Sequence, residues 1–109
     1  MISGVDVGYT LKYHPSVKTE DIPKLDKRTA VRIKRAIETR LLSAPQEYGE
    51  PLRRTLKGYW KLRVGDYRVV FRVQGSDIMV LGIIHRKEVY QITEKKRSWV
   101  NDPFLKSGL

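Results

Sequence analysis

The chain has 109 residues, 40% of them hydrophobic, and carries 22 lysines and arginines against 12 aspartates and glutamates, a formal net charge of +10. At a typical ~100–150 residues per domain this is a single domain, residues 1–109, and the apolar content belongs to a folded chain rather than a disordered one. The absence of cysteine excludes a disulfide scaffold, a cysteine zinc site and a thiol nucleophile, and no apolar run approaches the ~20 residues of a membrane span.

Residues Met1 to Val7 show neither the basic start nor the long apolar stretch of a signal peptide, so the cytoplasm is the expected compartment. Tyr9 to His14 alternates and reads as a first strand, ended by Pro15 and Ser16. Val17 to Leu25 is helical only in part, because Pro23 interrupts it. Asp26 is a good N-cap for a helix over Lys27–Leu42, in which Ala30, Ile33, Ile37 and Leu41 recur at helical spacing. Residues 43–58, rich in proline, glycine and charge, read as a loop. Three strands follow: Tyr59–Val64, turned at Gly65-Asp66; Tyr67–Val73, turned at Gln74-Gly75-Ser76; and Asp77–His85, apolar enough to be buried on both faces. Such short glycine-containing links predict an antiparallel meander. A short C-terminal helix is expected over 88–97 and a tail over 98–109, with Trp99 as a packing residue. The order β-α-α-β-β-β predicts an α+β domain, a small largely antiparallel sheet with helices packed on one face.

Charge is unevenly spread. Residues 1–50 hold nine basic and seven acidic residues, a net of +2, and residues 51–109 hold thirteen and five, a net of +8. Between Arg53 and Arg72 only Asp66 opposes Arg53, Arg54, Lys57, Lys61, Arg63, Arg68 and Arg72. Such a field attracts nucleic acid or an acidic protein; the plainer alternative is a passive basic surface. No glycine-rich phosphate loop, Gly-x-Ser-x-Gly elbow or metal-spaced histidine pair occurs. No cofactor or metal is expected, and any chemistry falls to Lys, Arg, Tyr and His acting on an anion.

Alternation along a strand puts Tyr59, Lys61 and Arg63 on one face over about 13 Å, with Trp60, Leu62 and Val64 on the other. Arg68 begins the next strand, His85 and Arg86 end the third, and Tyr90 follows. A meander can bring these to one patch. It would suit RNA, with guanidinium groups on phosphate and tyrosine rings on bases. Cleavage by attack of a 2′-OH on its adjacent phosphate needs proton transfer, available from His85, Lys61 and Tyr90, and positive charge, available from Arg68 and Arg86. Each residue also has a plainer role. Lys61 and Arg63 would form a solvated strand face, Tyr59 would cover the sheet, and His85 would be a hydrogen-bonded strand end. Arg86 would pair with Glu88, and Tyr90 would anchor the C-terminal helix. His14, beside a turn proline, reads as structural.

The run from Leu52 to Phe71, with Gly58-Tyr59-Trp60-Lys61-Leu62-Arg63-Val64-Gly65-Asp66-Tyr67-Arg68 at its centre, resembles the central hairpin of the RelE/ParE toxin superfamily. His85-Arg86-Lys87-Glu88-Val89-Tyr90 is similar to the ending of its RelE branch, and the resemblance covers roughly residues 8–97. It implies a small α+β, microbial-ribonuclease-like fold and the toxin of a type II toxin–antitoxin pair. It implies a metal-independent endoribonuclease that cuts mRNA in the ribosomal A site and inhibits translation. The implied partners are the ribosome, mRNA and a cognate antitoxin encoded by the adjacent gene, with no membrane. Lys61, Arg68, Arg86 and Tyr90 fall on the family's functional places, and His85 where some members carry a proton-transferring histidine. Arg53, Arg54, Lys57, Tyr59 and Arg63 would bind RNA. Some members carry two lysines, two residues apart, on the first hairpin strand; here the earlier position is Tyr59. The rival readings are a ParE-like toxin acting on DNA gyrase, which usually lacks the terminal tyrosine, and a non-catalytic relative that binds only antitoxin or RNA.

Overall fold

The computed structural model describes residues 9–52, 56 and 58–100, the last four as backbone. Strands β1 (Thr10–Tyr13), β2 (Glu50–Pro51), β3 (Tyr59–Val64), β4 (Tyr67–Gln74) and β5 (Asp77–His85) form one sheet in the order β1-β5-β4-β3-β2. The β3–β4–β5 meander is antiparallel, as expected, and β1 pairs with β5 in parallel. Gly65 and Gly75, both at φ +62°, close the two hairpins in the left-handed conformation that side chains resist.

Val17–Asp21 forms one turn of wide π-helix, and Pro23 opens a short 3-10 turn over Ile22–Lys24. Helix α1 (Lys27–Ala36) starts at Asp26, whose carboxylate accepts the Thr29 backbone N–H at 2.7 Å. It continues as a π turn over Ile37–Leu41, which completes the expected helix. The segment read as a loop contains a one-turn helix α2 (Pro45–Tyr48) and β2. Both are too short to show a period. Helix α3 (Val89–Val100) runs three residues past its expected end, into the region expected to be tail.

The sheet is covered on both sides. Ile33, Ala36, Ile37 and Leu41 of the α1 segment pack with Leu62, Val69, Phe71, Val80 and Ile83 on one face. On the other, Leu52, Leu56, Tyr59, Val70, Met79, Leu81 and Ile84 pack with Val89 of α3. Full burial of β5 from Ile78 to Ile84 follows from this double cover. Among the described residues no helix is long and apolar enough to cross a membrane.

Candidate active site

The register of the β3–β4 hairpin sets the site. Arg63 pairs with Arg68, and Lys61 with Val70 two residues on, so Lys61, Arg63 and Arg68 project from the face that α3 covers. Val89 is buried and seats the first turn of α3. Its neighbour Tyr90 is left 37% exposed, and the Lys61 ammonium lies 6.0 Å from the Tyr90 ring centroid. This distance fits a cation–π contact.

Arg68 is only 7% exposed and is fastened in place: its Nη1 donates to the carbonyls of Gly65 and Tyr67, each at 2.9 Å. Burial lowers its pKa from the usual arginine value, and the positive charges of Arg63 and Arg86 lower it further; Glu50 and Asp66 pull the other way. Three guanidinium groups therefore repel one another here. An approaching phosphate relieves that repulsion. Arg86 follows β5, and its backbone N–H donates to the Asp66 carbonyl at 2.9 Å. Its exposed side chain lies 4.0 Å from the Asp66 carboxylate. The Gly65-Asp66 turn thus holds both Arg68 and Arg86. Asp66, read from the sequence as a turn residue only, positions the site. The signal was its place as the one acid between Arg63 and Arg68.

Two expected members do not join this patch. Tyr59 is 2% exposed and sits in the core with Leu52 and Leu56, with the Arg72 guanidinium 5.2 Å from its ring centroid. Its ring offers no face to a base, and the plainer reading of Tyr59 as a cover for the sheet is the correct one. His85 pairs with Tyr67, one residue out of phase with Arg68, so its side chain starts on the opposite face. There it meets the Tyr67 ring edge-on at 5.8 Å, and its Nδ1 accepts the Lys87 N–H at 3.3 Å. The one-residue parity of a strand places the sheet between His85 and Lys61. Arg86 approaches Asp66 rather than the expected Glu88. Arg53, Arg54 and Lys57 lie outside the described residues. His14 is structural, as expected: its Nδ1 accepts the Ser16 N–H at 3.1 Å and lies 2.8 Å from the Ser16 hydroxyl.

A cationic patch edged by a tyrosine, on a small α+β sheet, defines a class of proteins that comparison with known chains makes specific. The profile of the family described as ParE toxin of type II toxin-antitoxin system, parDE, matches residues 11–90. The chain is 28% identical over 85 residues to Toxin RelG of Mycobacterium tuberculosis, spanning 76% of this chain and 97% of that one. It is 29% identical over 94 residues to Toxin RelE of the same organism, spanning 84% and 90%. A chain of the RelBE2 toxin–antitoxin complex of M. tuberculosis matches with a TM-score of 0.66 and 28% identity, over 72% of this chain and 99% of that one. The chain belongs to the ParE toxin family of type II toxin–antitoxin systems, within the RelE/ParE superfamily. The resemblance carried by the hairpin and by the His85–Tyr90 run is borne out at that level.

Proposed function

We propose that this toxin is a ribosome-dependent mRNA endonuclease acting in the cytoplasm. The observation that carries the reading is the Lys61–Tyr90 contact beside Arg63, Arg68 and Arg86. A 2′-oxygen attacks the adjacent phosphorus, the bond to the 5′-oxygen breaks, and a 2′,3′-cyclic phosphate and a 5′-hydroxyl result. Lys61 and Tyr90 take the proton from the 2′-OH and return one to the departing 5′-oxygen. The exposed guanidinium groups of Arg63 and Arg86 meet the phosphate, and Arg68 adds charge from beneath. His85, on the other face, takes no part.

An open patch of this kind aligns a flexible RNA poorly, and the ribosome supplies the alignment, worth roughly 7–11 kcal/mol when reacting groups are held in place. The exposed basic side chains of Lys27, Arg28, Arg32 and Arg35 on α1 grip ribosomal RNA. Arg32 leans on Gly65, its Nη1 3.2 Å from where a Cβ there would lie, so the α1 surface reaches the turn that carries Arg68 and Arg86. The partner that silences the toxin is an antitoxin from the adjacent gene, an acidic or amphipathic segment that orders on binding; the matched RelBE2 chain comes from a toxin–antitoxin complex.

The test incubates purified toxin with one mRNA, free and on programmed ribosomes, and maps the ends. Cleavage on ribosomes alone is expected, and equal cutting of free RNA would overturn the reading. The ParE name of the matching family keeps gyrase as a second target. A supercoiling assay run alongside should show no inhibition.

A further inference from the structure

β1 covers the outer edge of β5 only from Asp77 to Val80. Beyond it β4 pairs Val70 with Gly82 and Phe71 with Val80, so Leu81 bulges without a partner. Two backbone groups then face outward on an edge that no described strand covers: the Leu81 carbonyl and the Ile83 N–H. Both are satisfied from outside the sheet. The Asp21 carboxylate accepts the Ile83 N–H at 3.0 Å, and the Lys96 ammonium donates to the Leu81 carbonyl at 3.1 Å. The two side chains, 14% and 15% exposed, lie 3.6 Å apart. Lys96 and Asp21 together close the edge that β1 leaves open.

Lys96 stands seven residues after Val89, on the same face of α3 as Val89 and Thr93. Both of these are buried, and the Thr93 hydroxyl finds no hydrogen-bond partner among the described residues. The seat of α3 is therefore only partly apolar. Val89 and the partly buried Ile92 supply the apolar hold on the start of α3, and beyond them the seat passes to the polar Thr93 and Lys96. Lys96 pins it a second time, about 10 Å further along the axis at 1.5 Å per residue.

We propose that Asp21 and Lys96 are positioning residues for Tyr90: their clamp on the β5 edge fixes the axis of α3 and so holds the Tyr90 phenol over Lys61. The part of this concerning cleavage rests on the mRNA endonuclease reading; the clamp itself does not. Neither residue touches the reacting atoms. Tyr90 lies on the first turn of the clamped helix, and small misplacement of a proton-transfer group is costly.

The experiment uses the full chain and four variants: Lys96→Met, which keeps the apolar stem and removes the donor; Lys96→Arg, which restores it; Asp21→Asn, which keeps an acceptor for Ile83; and Tyr90→Phe. Backbone hydrogen exchange is read first. Exchange over residues 90–96 should quicken in Lys96→Met and Asp21→Asn relative to the β3–β4 hairpin, and recover in Lys96→Arg. Unchanged exchange over 90–96 overturns the clamp whatever the toxin cuts. Cleavage on programmed ribosomes is read second. Lys96→Met should lower kcat ~10- to 100-fold with KM little changed, and should add nothing in the Tyr90→Phe background. Full additivity of Lys96→Met and Tyr90→Phe overturns the link to Tyr90. If the unaltered toxin cuts nothing, the endonuclease reading fails, and the exchange arm still decides the clamp.

Discussion

Arg68 and Arg86 carry the same charge at one turn, yet the structure uses them differently. Arg68 is buried and its Nη1 bridges two carbonyls, so it is part of the hairpin as much as of the site. Arg86 is exposed, and its side chain faces the exposed Asp66 carboxylate at 4.0 Å, a pair worth ~0–1 kcal/mol. Opposite phenotypes follow. Arg86→Ala should lose ~10²–10³ in cleavage rate, the usual loss for one charge-stabilising donor, and relieve growth arrest. Its urea midpoint should barely move. Arg68→Lys cannot span both the Gly65 and Tyr67 carbonyls with a fork, and should lose about 1–3 kcal/mol of stability. Urea titrations of the two variants beside ribosome cleavage assays check both expectations. Full toxicity in a folded Arg86→Ala protein would remove Arg86 from the mechanism.

The β3–β4 hairpin is the element on which the site hangs. Its turn bears Gly65 and Asp66, which between them receive Arg68, Arg86 and the flank of Arg32. The β4–β5 turn has the same backbone at Gly75, φ +62°, but there an added Cβ would meet nothing within 4 Å. The two glycines make a controlled comparison. Gly75→Ala should cost only the left-handed backbone penalty, about 1–2 kcal/mol. Gly65→Ala should cost that and also push against the Arg32 guanidinium, so its melting temperature should fall further. Only Gly65→Ala should lower cleavage at a temperature where both variants are folded. Equal melting temperatures and equal activities would show that Arg32 moves aside freely and that the turn tolerates a side chain.

For the whole molecule, acid is the informative stress. His14 lies where the N-terminal segment, β5 and α3 meet. Burial first, and the charge of Lys96 second, hold its pKa below the ordinary 6.5, while Asp21 and Glu20 pull it upward. The unfolded chain therefore takes up the proton more readily than the folded one. The stability from neutral His14 is complete above about 6.5, and it is lost as pH falls from there through the lower folded value. Thermal melts from pH 7.5 to 5 should show a fall in stability that is smaller in His14→Gln. Parallel curves for the two proteins would mean that His14 titrates alike folded and unfolded.

Much of the fold was legible because it was written in short periods. The alternation of Tyr59–Val64 and the apolar density of Asp77–His85 match the observed strands end to end, and the α1 stripe at Ile33, Ile37 and Leu41 is the observed core face. The cationic character of Lys61, Arg63, Arg68 and Arg86 was equally plain, because charge is a property of the residue. What chain order leaves open is which side of the sheet a later element covers. Tyr59 alternates with Trp60 as a surface residue would, but α3 and the segment at Leu52 and Leu56 fold over it and turn it into core. His85 and Arg86 are adjacent in sequence, yet His85 is in register with Tyr67 and starts on the far face. Asp21 and Lys96 are 75 positions apart and carry no motif; only the bulge at Leu81 and the early end of β1 bring them to one edge. Periodicity and charge are local and survive in the sequence. Facing, register and the closing of an open edge are relations between distant segments, and packing alone decides them.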